Sequence, residues 1–146
     1  MKIYPPVYLL IAALMMAGLH YYVPGPRFIE PPLTYIGCGV FALGLVVVIL
    51  MKRSFDKADT TIMPYEESTA LLTGGLYAFS RNPIYVCMVA GLAGVAVAFG
   101  SLLGVIVIPF FIWIIHARVI AIEEAMLEDA FGDDYLAYKA RVRRWL

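Results

Sequence analysis

The sequence predicts an all-α integral membrane fold of about four transmembrane helices, the last two forming a hairpin, with an interfacial helix at the C-terminus. Three observations carry this. The 146 residues are 62% hydrophobic and only 15% charged, whereas a soluble domain runs nearer half apolar and about a quarter charged. The apolar residues gather into four runs, each near the roughly 20 residues that a helix needs to cross the hydrocarbon core. The basic residues, finally, are segregated along the chain in the way that four crossings require.

The four runs cover about residues 5–23, 33–51, 83–99 and 102–122, and the fourth extends as a helix to about 131. The first follows Lys2, as a secretory signal would, but it is long enough to span and no small-x-small cleavage site follows it, so it reads as a retained helix. VPGPRFIEPP, residues 23–32, is a loop by its Pro and Gly content. The segment from Lys52 to Asn82 is the long polar connection, and Gly100 with Ser101 makes a tight turn between the third and fourth runs. Small residues in the third run (Ala90, Gly91, Ala93, Gly94, Ala96, Ala98) allow close helix approach in lipid. The chain reads as one domain, 1–146.

Four crossings put both termini and the long connection on one side. That side holds Lys2, Lys52, Arg53, Lys57, Arg81, Arg118, Lys139, Arg141, Arg143 and Arg144; the other holds only Arg27. Positive charge marks the cytoplasmic face. The net charge is zero, so no overall field draws the protein to nucleic acid. Cys38 and Cys87 lie in apolar runs without metal-ligand spacing, His20 and His116 lack ligating neighbours, and no metal site is expected. No P-loop, Rossmann fingerprint or nucleophile elbow is present.

Two polar clusters remain. In TGGLYAFSRNPIYV, residues 73–86, Pro83 suits the first turn of a helix and Asn82 its N-cap. The helix start, its dipole and the charge of Arg81 together make a seat for a carboxylate. Gly74 and Gly75 permit a tight turn, and Tyr77 and Tyr85 flank it. Taken one at a time, these residues read as a helix start, a positive-side anchor and an interfacial tyrosine belt. The second cluster is Glu123 with Glu124, costly at a membrane boundary unless solvated or paired. In a regular helix His116 shares a face with Glu123, Arg118 points toward Ile122, and Glu124 shares a further face with Glu128. Gly132 ends this helix. A last one, at about 134–145, carries Tyr135, Tyr138, Val142 and Trp145 among Lys139, Arg141, Arg143 and Arg144, as an anchor at an anionic surface would.

Together the clusters resemble the isoprenylcysteine carboxyl methyltransferases and their relatives, the membrane phospholipid methyltransferases. The resemblance rests on Thr60 with Pro64, LLTGGLY at 71–77, RNPIY at 81–85, and EEAMLEDAFGDDYLAY at 123–138, followed by Val142 and Trp145. It implies an enzyme that uses S-adenosylmethionine, with Leu72, Gly75, Tyr77, Arg81, Asn82, Pro83, Ile84, Tyr85, Glu123 and Glu124 at the cofactor. Arg81 and Glu123 are the residues nearest to a catalytic role. Asn82 replaces the histidine of some members and cannot titrate. Eukaryotic carboxyl methyltransferases carry a substrate-holding arginine one turn before the glutamates, where this chain has Val119; His116 and Arg118 are the polar groups left to meet substrate. The implied acceptor is hydrophobic or membrane-associated, isoprenylcysteine-carboxylate-like or lipid-like. The short chain resembles bacterial or archaeal members, which implies a multi-pass protein of a prokaryotic inner membrane with its site on the cytoplasmic side. Oligomeric state is not legible. A small transporter or a non-catalytic scaffold are the rival readings. The first three runs contain no Asp, Glu, Lys or Arg to serve a transporter as a coupling group.

Overall fold

A computed structural model describes residues 3–23, 25–57 and 69–146; Thr60 and Pro64 lie outside them. The regular elements among the described residues are helices, with no strand beyond one isolated bridge between Arg27 and Ser101. The helices are α1 (Pro5–Tyr22), α2 (Tyr35–Lys57), α3 (Pro83–Phe99), α4 (Leu102–Val105), α5 (Val107–Ile115) and α6 (Ala121–Arg141). A 3₁₀ turn (Gly75–Ala78) precedes α3, and a π-helical turn (His116–Ile120) joins α5 to α6.

Among the described residues, three helical segments are long and apolar enough to cross a membrane: Pro5–Tyr22, Thr34–Arg53 and the continuous stretch Leu102–Arg141. In the last, the apolar run ends at Ile122 and the remainder is polar. α3 is equally apolar but has 17 residues, about 25 Å at 1.5 Å per residue. It nonetheless connects the two ends of the bundle. At one end the loop after α1 meets the turn after α3: the Phe28 amide donates to the Gly100 carbonyl at 3.1 Å, and the Leu102 amide to that of Pro26 at 3.3 Å. At the other end the start of α3 meets α6. Leu10, Leu14, Leu43, Phe110 and Trp113 are exposed on the outer faces of the bundle, an apolar surface of the kind a bilayer covers.

The elements form for local reasons. Pro83 starts α3, where its missing N–H costs nothing. Gly100 ends it in the left-handed region at φ 61°, the usual helix stop for glycine. The interruption at Ile106 falls three residues before Pro109, which has no N–H to give the carbonyl of Val105. The core lies between α1, α3 and α5: Ala12 and Met16, then Leu92 and Ala96, then Val107, Phe111 and Ile115, with Val119 and Ile120 from the π-helical turn.

α2 packs along α3 through small residues. A Cβ at Gly37 would overlap the Gly94 carbonyl and the Ala98 amide, whereas one at Gly39 would meet nothing. Gly37→Leu is therefore expected to destabilise the bundle by ~1–3 kcal/mol or more. Gly39→Leu, facing open space, should unfold with the wild type in detergent, and equal unfolding temperatures for the two variants would contradict this packing.

Two expectations differ from the structure. The C-terminal helix ends at Arg141, not near 145, and it is continuous with the glutamate-bearing helix across a kink at Gly132 (φ 50°, ψ −122°). Its aromatic residues are not surface anchors: Tyr135 and Tyr138 are buried, and Trp145 packs on the core. Glu128 and Lys139 form an ion pair across the kink at 2.9 Å.

Candidate functional site

The site is assembled where the entry to α3 meets the start of α6. Gly75 adopts φ 61°, a conformation that glycine alone takes without strain. The turn it permits brings Tyr77 edge-on to Phe55 of α2, ring centres 5.8 Å apart. Tyr138 of α6 donates to the Tyr77 carbonyl at 2.7 Å. Burial pushes the Tyr77 phenol well above its ordinary value, and the neighbouring Glu123 raises it further.

Asn82 takes the N-cap position but makes no side-chain cap. Its side-chain Nδ2 instead donates to the Arg144 carbonyl at 3.0 Å, while its backbone N–H donates to Ser80 Oγ at 3.1 Å. One turn on, the Tyr85 hydroxyl donates to Glu123 Oε1 at 2.7 Å. Arg81 Nη2 stands 3.2 Å from Glu124 Oε1, both side chains being 8% exposed. Arg144 clamps the same carboxylate, Nε to Oε1 at 2.9 Å and Nη2 to Oε2 at 2.6 Å.

The two glutamates thus have different surroundings. Both oxygens of Glu124 are bonded to arginine, and this bond raises the Arg144 guanidinium further. Glu123 receives the tyrosine hydroxyl, and burial pushes its carboxyl up, against the lowering effect of Tyr85. Arg81 retains two buried donors, Nε and Nη1, without a protein acceptor. Buried donors normally find partners, so an acceptor supplied by a ligand fits them.

The π-helical turn changes which polar groups align. Its i→i+5 bonding accommodates an extra residue per turn, so the residue two turns after His116 is Glu124 rather than Glu123. His116 Nε2 accordingly lies 3.5 Å from Arg144 Nη1, joined to Glu124 through that guanidinium. The expected His116–Glu123 face is therefore shifted by one residue. Arg118 is exposed on the same turn, and Val119 is fully buried.

Beside this network a cavity of about 450 Å³ is lined by Val47, Leu50 and Met51 of α2 and by Leu72, Gly74, Gly75, Leu76 and Tyr77. Its size falls within the range of small-molecule sites, roughly 300–1,000 Å³. Of the residues singled out from sequence, Leu72, Gly74, Gly75 and Tyr77 line the cavity. Arg81, Asn82, Tyr85, Glu123 and Glu124 join in the network, with Pro83 buried and Ile84 half-buried between them. Sequence reasoning missed the α2 wall, Ser80 and Arg144. The α2 residues carry no signal among so many apolar neighbours, and Arg144 is one of four basic residues in a short stretch.

An all-α membrane bundle with a polar, partly buried site at one rim defines the class of this protein. The chain belongs to the phospholipid methyltransferase family, whose model matches residues 33–134. It is 32% identical over 72 residues to protein-S-isoprenylcysteine O-methyltransferase of Schizosaccharomyces pombe, covering 49% of this chain and 30% of that protein. It is 26% identical over 117 residues to a probable protein-S-isoprenylcysteine O-methyltransferase of Oryza sativa subsp. indica, covering 77% of this chain and 60% of the relative. An uncharacterized protein of Haemophilus influenzae is 54% identical over 44 residues, 30% of this chain and 65% of its own length. The chain thus spans less than two thirds of each of these relatives.

Proposed function

We infer that this protein is an integral membrane methyltransferase that uses S-adenosylmethionine and acts on a hydrophobic, membrane-associated acceptor. One observation carries the inference: two polar clusters almost 40 residues apart meet at one rim of the bundle, Tyr85 on Glu123 at 2.7 Å and Arg81 on Glu124 at 3.2 Å. The family match and the names of the relatives support the same reaction class.

The residues present fit the cofactor. The orphaned Arg81 donors suit its carboxylate, the Glu123 carboxylate suits its ammonium or ribose hydroxyls, and the apolar cavity wall from Leu72 to Tyr77 suits its base. When bound, the cofactor supplies a methyl group already activated by the sulfonium. The protein's own contribution is then proximity and orientation. Tyr85 and Arg144 hold the two carboxylates, and the apolar wall excludes water.

The acceptor class is an isoprenylcysteine-like carboxylate or a lipid-like headgroup, reaching the rim laterally from the bilayer while the cofactor enters from the aqueous side. The ten-to-one distribution of basic residues supports a cytoplasmic placement of that side. Incubating the purified protein with methyl-tritiated S-adenosylmethionine and a total membrane extract tests this. Label is expected in lipid or lipidated protein, as an alkali-labile ester for a carboxylate acceptor and alkali-stable for an amine. Calorimetric titration of the wild type with S-adenosylmethionine in detergent should show saturable binding, and its absence would contradict the enzyme assignment.

A further inference from the structure

We propose that residues 142–146 form a wall of this site and that Arg144 is a positioning residue for the paired glutamates, an inference that rests on the methyltransferase reading and deepens it. After α6 the chain turns extended at Val142 (φ −117°, ψ 132°) and runs back across the entry to α3. Three donors of that entry bind it through its backbone. The Arg81 amide donates to the Arg143 carbonyl at 2.9 Å, Asn82 Nδ2 to the Arg144 carbonyl at 3.0 Å, and the Ser80 hydroxyl to that carbonyl at 3.4 Å. Trp145 then packs against the core. A surface anchor would satisfy none of these groups.

The side chain of Arg144 does more than close the contact. Its Nε and Nη2 take one oxygen each of Glu124, at 2.9 and 2.6 Å, a two-pronged geometry that fixes orientation as well as charge. Arg81 Nη2 also contacts Glu124 Oε1, at 3.2 Å. It immediately follows Glu123 and stands just past the π-helical turn, where the helix departs from regular register. Locking Glu124 therefore fixes the rotation of the first turn of α6 and aims Glu123 at Tyr85. Charge balance acts in the same direction. Arg81, Arg144, Glu123 and Glu124 together are neutral, and removal of Arg144 leaves two neighbouring carboxylates with one buried guanidinium.

The test uses the full chain in detergent and reads the dissociation constant for S-adenosylmethionine by calorimetry, with unfolding temperature alongside. Arg144→Ala is expected to weaken binding at least about tenfold, the scale of a charge-assisted hydrogen bond. Arg144→Lys should recover part of that loss by returning the charge without the fork. The Glu124→Gln/Arg144→Ala double variant should bind no more weakly than Glu124→Gln alone, because Arg144 acts through Glu124. Wild-type affinity in Arg144→Ala overturns the inference. So does an additive double variant, or a loss that follows unfolding temperature and is the same for Lys as for Ala. No binding by the wild type overturns the methyltransferase reading and this assignment with it, which separates the two failures.

Discussion

Glu123→Ala is expected to remove measurable binding of S-adenosylmethionine. Truncating one member of a buried, hydrogen-bonded charge pair costs ~2–5 kcal/mol, or roughly 30-fold to several thousandfold in affinity. Alanine also removes the acceptor that the Tyr85 hydroxyl reaches at 2.7 Å. Glu123→Gln separates the effects, since it keeps an acceptor for Tyr85 and loses only the charge. Both variants should bind poorly, and the glutamine variant should retain the wild-type unfolding temperature. Burial raises the Glu123 carboxyl above its ordinary range, so lowering the pH neutralises it sooner than an exposed glutamate. A cationic ligand favours the ionised form. Affinity for S-adenosylmethionine should therefore fall with falling pH through this raised value in the wild type, and the dependence should flatten in Glu123→Gln. Tight binding by Glu123→Ala would remove this residue from the site.

Arg81→Ala is expected to lose both stability and binding. The guanidinium is 8% exposed and faces a carboxylate equally buried. Removing it leaves Glu124 to Arg144 alone, at an expected cost of about 1–3 kcal/mol, and empties the place of the two unpartnered donors. Arg81→Lys retains a charge without the planar fork. It should unfold nearer the wild type yet bind S-adenosylmethionine far more weakly, because an ammonium cannot present the Nε and Nη1 geometry together. Calorimetry with parallel thermal unfolding checks this. Lysine and arginine binding equally well would mean that only charge is required.

Much of this arrangement is legible in the sequence, for identifiable reasons. The helices can be read because lipid demands long apolar runs. Pro83 and Gly100 mark the ends of α3 because each acts through its own backbone. The meeting of the Arg81–Tyr85 turn with Glu123 and Glu124 can be anticipated from the joint pattern. The π-helical turn cannot, since one extra residue in a helix of ordinary composition leaves no periodic trace, and it shifts His116 onto the Arg144–Glu124 pair. The C-terminal segment misleads for a related reason. Aromatic and basic residues suit a membrane surface and a buried ion-pair network equally well, and only tertiary packing separates Trp145 against the core from Trp145 at an interface. Val47, Leu50 and Met51 line the cavity unseen because nothing distinguishes them from lipid-facing neighbours.

The most direct measurement is photocrosslinking of radiolabelled S-adenosylmethionine to the detergent-solubilised protein, followed by peptide mapping. The account predicts saturable label, competed by unlabelled cofactor, in the peptides that carry residues 72–85 and 116–124. Label confined to the loop around Arg27 and Gly100 at the opposite end of the bundle, or none that competes, would contradict it.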